Sequence, residues 1–176
     1  MKQVWNIYKF FNYIKLIGVG ISFIAVLGMV FTISYDVFMR TVFSTSIRGG
    51  FEIIQNYFLP IIVFPSLAYV YSSGILPRMD MLIERFNTKV QQLIVYILLA
   101  LEIFVLILIV QFSWEYAVDG LQKKSAFSAG GSMYPLYPLY FFIPIAFMLM
   151  IIENIFVIIQ NIQRKKPSFQ VDLKDI

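Results

Sequence analysis

The chain contains no cysteine and no histidine. Without cysteine there is no disulfide framework, no thiol–disulfide couple and no thiolate metal site. Without histidine there is no bis-histidine haem carrier, a common use of a four-helix membrane bundle. Lacking both, the chain has no ordinary ligand set for zinc or iron. No cofactor is expected, and redox subunits are set aside. P-loops, nucleophile elbows and carboxylate pairs at enzymatic spacing are missing too, so the chain does not read as an enzyme. Charge is scarce: 14% of the 176 residues are charged and 60% are hydrophobic, whereas soluble domains run nearer ~25% and ~45–50%. So little polar surface cannot wrap a water-soluble core. The chain reads as a small integral membrane protein, with membrane lipids rather than nucleic acid as surroundings.

A hydrocarbon core of ~30 Å takes about 20 apolar residues of helix. Four stretches qualify: 16–35, 53–76, 90–116 and 138–162, with Glu102 and Glu153 as the charges inside them. Backbone groups in lipid must pair internally, so runs this long and apolar are helices; the alternating ~10-residue segments of a barrel do not occur. The fold class is all-α, one membrane domain over residues 1–176. Lysine and arginine set the orientation. Ten of them lie in the N-terminal tail, the loop after the second span and the C-terminal tail (163–176), against Arg40, Arg48, Lys123 and Lys124 on the other side. Both termini are therefore expected in the cytoplasm. Lys15 enters this count as a flanking charge, and no basic residue falls within a span.

Two further segments have a helical apolar stripe. In residues 1–14, Val4, Trp5, Tyr8, Phe11 and Ile14 share a face; in 78–89, after Pro77, Met79, Leu82, Ile83 and Phe86 do so. Both are expected to lie in the interface plane with the apolar side toward acyl chains. On the outer side, Asp36 and Arg40 are four apart and positioned to pair. Gly49-Gly50 is a turn, and Glu52 opens the second span, where a carboxylate suits the helix dipole. Trp114, Tyr116, Tyr134, Tyr137 and Tyr140 make an outer aromatic belt. Pro60, Pro65 and Pro144 fall inside spans, where neighbouring helices ordinarily satisfy the freed carbonyls.

Glu102 and Glu153 lie deep, about 20 Å and 16 Å along their helices from the cytoplasmic side. An ionised carboxylate at that depth costs at least ~2–3 kcal/mol, so neither should face lipid. Burial against another helix or subunit, with Asn154, Gln111 or a partner chain donating, is one account. A proton or ion relay is the other, and near-equal depth lets the two share a proton if their helices pack together.

The order of features resembles a family. Asp36-Val37-Phe38-Met39-Arg40-Thr41-Val42-Phe43 closes the first span, Ser46-Ile47-Arg48-Gly49-Gly50-Phe51-Glu52 opens the second, Gly74 to Leu82 leads to the second interfacial helix, and Tyr134 to Tyr140 begins the last span. Together they look like the small membrane subunit (DctQ-like) of tripartite ATP-independent periplasmic (TRAP) transporters, over roughly residues 15–160. Val37 and Arg40 match a valine-x-x-arginine, Glu52 a glutamate opening the second span, and Gly74 and Asp80 a glycine followed by an aspartate, although the histidine often found after that glycine is missing. The resemblance implies a sodium-coupled carrier of organic acids in a prokaryotic inner membrane. A large multi-span subunit would carry substrate as an elevator, this chain would brace it, and an extracytoplasmic substrate-binding protein would deliver the solute. It also makes Arg40, Arg48 and Glu52 candidate docking contacts, with local ion pairing as the alternative. A different reading of the same composition is a self-sufficient small proton-coupled exporter or channel, homo-oligomeric and working through Glu102 or Glu153.

Overall fold

In a computed structural model, residues 2–74, 87–164 and 171 are described. Four helices are long and apolar enough to cross a bilayer: Asn6–Phe43, Gly50–Ser72, Val90–Gln122 and Tyr137–Ile162, the first to fourth spans below. An even number of crossings leaves both chain ends at one face of the bundle, the terminal end; a hairpin marks the other. All four expected spans are present, and the first and third run further than hydropathy alone suggests. The interfacial helix expected over 78–89 lies outside the described residues up to 86, and its last two positions, Thr88 and Lys89, already belong to the third helix. Asp80 and most of the tail 163–176 are outside them as well.

The segment 1–14 differs from its expected form. No proline interrupts residues 2–43, and the helix runs unbroken from Lys2 to Phe43. Residues 8, 11, 15, 18, 22 and 25 are buried, a three-four alternation that keeps one seam facing its neighbours. Tyr8 and Phe11, assigned by pattern to the lipid, instead pack on Phe156 of the fourth span. The Tyr8 and Phe156 rings meet edge-on at 5.0 Å between centroids. An amphipathic stripe says that a face is apolar; it does not distinguish lipid from protein as the cover.

The first span packs on the second, the second on the fourth, and the fourth on the third. Between apolar helices in lipid, close approach and interhelical hydrogen bonds replace the hydrophobic effect. The first and second spans meet antiparallel through small residues. Gly18 lies directly on the backbone of Pro65, and a Cβ at Gly28 would sit 2.9 Å from the Phe58 ring. One turn from Gly18, Ser22 Oγ donates to the Ile61 carbonyl at 3.3 Å. That carbonyl is the one Pro65 cannot serve, because proline has no N–H to return to the residue four before it. The proline and the serine are therefore one device, built across two helices.

Ahead of Pro60 the second span widens into a π turn, Ile54–Phe58, in which the Leu59 N–H reaches five residues back to the Ile54 carbonyl. The wide turn sends Tyr57 and Phe58 to different neighbours, the hairpin and the first span. The second span ends at Gly74 (φ 71°), the left-handed residue that commonly closes a helix.

The link between the third and fourth spans holds a feature absent from the all-helical expectation: two short strands, Ala126–Ala129 and Ser132–Pro135, paired antiparallel with Ala129 opposite Ser132. Gly130 and Gly131 form the two-residue turn with φ of 57° and 90°, as a tight hairpin of this hand requires. Gly-Gly between two short apolar-rich runs was the available signal.

The Gly18 contact gives a direct test. Gly18→Leu drives a side chain into the Pro65 backbone and is expected to destabilise the folded chain by about 1–3 kcal/mol or more. Gly20→Leu, whose Cβ meets nothing within 4 Å, should be tolerated. Thermal unfolding of the two purified variants in detergent measures the difference, and equal stabilities would contradict the packing.

Candidate functional site

Two places collect polar chemistry. The first lies at the hairpin end. Asp36 is its hub: Oδ2 accepts from Arg40 Nη2 at 2.7 Å and Oδ1 accepts the Ile47 N–H at 2.7 Å. One carboxylate thus ties the end of the first span to the loop that leads into the second. The expected pairing of Asp36 with Arg40 is present, with side chains 20% and 68% exposed respectively, so the pair organises the loop more than it stabilises the fold. Thr32, Asp36, Arg40, Gly49, Phe51 and Glu52 help to line a cavity of about 540 Å³. Glu52 sits exposed in the first helical turn; its backbone carbonyl accepts from Asn56 Nδ2 at 2.8 Å. Arg48 does not line this cavity. Its backbone carbonyl lies against Gly130 while its side chain is exposed. Val37 is exposed, and its carbonyl accepts from Thr41 Oγ1 at 2.8 Å.

The hairpin lies over this region. Gly49 (φ 78°) has Gly130 N and Ala129 where a Cβ would go, and Gly130 in turn has Arg48 there. The two outer loops therefore interlock through glycine backbones at a distance no side chain would permit. Tyr57 Oη donates to the Pro135 carbonyl at 2.6 Å, and its ring packs edge-on against Phe127 at 5.3 Å. Of the expected aromatic belt, Trp114 packs on Phe141 and Tyr116 on Tyr140, closing the third span onto the fourth.

The second place is inside the bundle, nearer the terminal end. Lys15 Nζ donates to Glu153 Oε2 at 2.7 Å, with side chains 0% and 1% exposed. Tyr8 Oη donates to Glu153 Oε1 at 2.8 Å. Both carboxylate oxygens are therefore held, and Lys15 also lies over the Tyr8 and Phe11 rings at 5.0 and 5.2 Å, within range of a cation–π contact. This overturns two expectations. Lys15 is not a flanking charge, and Glu153 is served by the first helix rather than by Asn154, Gln111 or a partner chain. The cause is geometric: Lys15 falls on the inward seam of its helix, where solvent cannot reach it and the carboxylate can. Beside it, Tyr71 Oη donates to Asn154 Oδ1, while Asn154 Nδ2 is buried without a partner among the described residues. Gln160 and Asn161 extend the buried polar stripe of the fourth span by two turns. Val171, returning from the tail, packs on both adjoining apolar clusters.

Glu102 does not join this centre. It is half-buried on the third span, and among the described residues no hydrogen bond or ion pair reaches it. The two carboxylates are thus not brought together as a proton-sharing pair. Among the described residues no group of three or more metal-ligating side chains occurs. Lys15, Tyr8 and the hairpin contacts are what residue-by-residue reading missed; a lysine at a seam position three residues from a glycine was the only signal for the first.

Compared with known families, residues 29–164 match the one described as tripartite ATP-independent periplasmic transporters, DctQ component. The match begins within the first span and ends with the fourth helix. Compared with curated proteins and with solved structures, the chain has no match.

The buried pair makes a quantitative demand. Lys15→Met leaves Glu153 charged and half-partnered in the interior and should cost about 3–5 kcal/mol, whereas Lys15→Met with Glu153→Leu should recover most of that loss. A double-mutant cycle on unfolding in detergent reads the coupling; additive losses would show that the two side chains do not act as a pair.

Proposed function

The chain belongs to the DctQ family, the small membrane components of TRAP transporters, and from that premise we propose that it is the fixed brace of a sodium-coupled carrier for organic acids. Its partners on this reading are a large multi-span subunit that holds the substrate and moves as an elevator, and an extracytoplasmic binding protein. Both termini lie in the cytoplasm, in agreement with the bias of lysine and arginine toward that side, and the hairpin end faces outward from the inner membrane.

The observation that carries the brace reading is the sealed interior. Mid-membrane polar groups of a carrier ordinarily line a cavity between helices that part and close. Here Lys15 and Glu153 are paired, buried and cross-linked between the first and fourth spans. The 540 Å³ cavity lies instead at the end of the bundle, beside Arg40 and Glu52. We assign Arg40, Arg48 and Glu52 to the docking surface for the binding protein. Two of the three border the cavity, all are exposed, and they carry both signs of charge, as an interface that steers and orients a soluble partner needs. The homo-oligomeric exporter is the less favoured reading: Glu153 is buried and doubly bonded, which leaves only Glu102 for it, and the matched family is one component of a multi-part transporter.

Co-expression with a candidate large multi-span TRAP subunit is the test. The two should co-purify, and only the pair, supplied with the binding protein and a sodium gradient, should accumulate solute in liposomes. Transport by this chain alone would end the proposal. Arg40→Glu and Glu52→Lys should leave the complex intact and raise the binding-protein concentration needed for half-maximal uptake by about two- to fivefold, as expected for exposed interface charges.

A further inference from the structure

Within the stretches 16–33, 53–72, 90–113 and 139–162 the charged residues are Glu102 and Glu153. Glu153 has its partners. Glu102 has none in the described chain, and it sits at the same height: Leu106 shares a cluster with Met150, and Leu99 one with Val157, which sets Glu102 level with Glu153 and Asn154 on the antiparallel fourth span.

Position on the helix says where the missing partner belongs. Val95, Leu99 and Leu106 are buried against the fourth span. Glu102 lies at the margin of that seam, where the surface turns outward through Leu98 and Ile109, both half-buried, to Val105 and Phe112, both exposed. The carboxyl therefore opens onto an apolar face that this chain leaves uncovered. Acyl chains have no donor to offer it. A second copy meeting the same face across a two-fold axis would bring two Glu102 carboxyls together, and one of them would have to stay protonated; a component of a multi-part transporter has a different neighbour that can bring a donor of its own. By contrast, the outward face of the first span presents Ile17, Ile21, Ile24 and Phe31 with no charge among them, and lipid suffices there.

We propose that the large multi-span subunit seats on the face of the third span that carries Leu98, Glu102, Val105 and Ile109, and that an amide, hydroxyl or cationic side chain of that subunit donates to the Glu102 carboxyl in the middle of the bilayer. The inference rests on the brace reading above and adds the side on which the companion docks and the chemistry it brings.

The absence of native cysteine makes the test clean. Val105→Cys, Phe112→Cys, Ile17→Cys and Ile24→Cys are each introduced singly, co-expressed with the large subunit, labelled with a thiol-reactive photo-crosslinker and irradiated in the membrane. Adducts containing the large subunit are expected from residues 105 and 112 and not from 17 and 24. Alongside, Glu102→Gln should retain the complex, while Glu102→Leu, although recovered normally on its own, should lower recovery of the large subunit about tenfold, the scale of one charge-assisted hydrogen bond. Adducts from residues 17 and 24 in place of 105 and 112, adducts of this chain with itself at 105, or undiminished recovery with Glu102→Leu would each overturn the assignment. Failure of the unmodified chain to recover the large subunit at all is seen before any crosslinking; it would remove the brace reading and this proposal with it.

Discussion

Hydrocarbon offers no hydrogen bonds, so every polar atom in the four spans must find its partner inside the protein or be stranded at a cost of several kcal/mol. Much of the interior is arranged around that demand. Hydroxyls in the spans return to their own helices, as Thr32 Oγ1 does to the Gly28 carbonyl and Ser113 Oγ to that of Ile109. The carbonyl that Pro65 leaves open is answered from the next helix by Ser22. Glu153, the costliest group in the bundle, is held by Lys15 and Tyr8. These bonds also determine which helices touch, because each of the last two joins elements that lipid alone would let drift apart.

The same constraint explains what a reader of the sequence can and cannot see. The spans are legible because a helix in lipid must be long and apolar, and those two properties survive any detail of packing. The four-residue spacing of Asp36 and Arg40 is legible because it is local, whereas the second span, expected to reach residue 76, closes earlier, at Ser72, with Gly74 in the left-handed conformation just beyond. Lys15 with Glu153 is not, since 138 residues separate them and nothing short-range shows which way a lysine at a span boundary faces. The first fourteen residues mislead for a related reason. Tyr8 and Phe11 make an apolar stripe whether lipid or Phe156 covers it. Gly49, read as part of a turn, also serves a contact with Gly130 of the other loop, which a one-dimensional pattern does not express.

The two ends of the bundle are fastened by different means. At the hairpin end, backbone meets backbone through Gly49 and Gly130, and Tyr57 pins the strand pair to the second span. This is a fit of shape, aided by a π turn that aims successive aromatics in two directions. Toward the terminal end, charge and aromatic faces do the fastening. Tyr8 holds Glu153 and stacks edge-on against Phe156 in the same helix turn. Loops interlocked in this way keep Arg40 and Glu52 at fixed positions relative to the helices below, as the proposed docking surface would need.

A bundle so fastened is poorly suited to motion of its own. Alternating access by rocking would draw the first span away from the fourth, and the first atoms to part would be Lys15 Nζ and Glu153 Oε2. Separated in a medium without water, each charge would lose its partner before gaining a solvent, and the barrier would rise steeply with distance because the low dielectric scarcely weakens the attraction. Moving charges in a carrier avoid this by lining a wet cavity. These charges are buried from solvent. The energetics therefore support the proposed brace, a part that stays still, and place its stiffest contact between the first and fourth spans. The third span touches this core through the fourth alone among the strong helix contacts, and its far side, where Glu102 has no partner among the described residues, is where the proposed neighbour would seat.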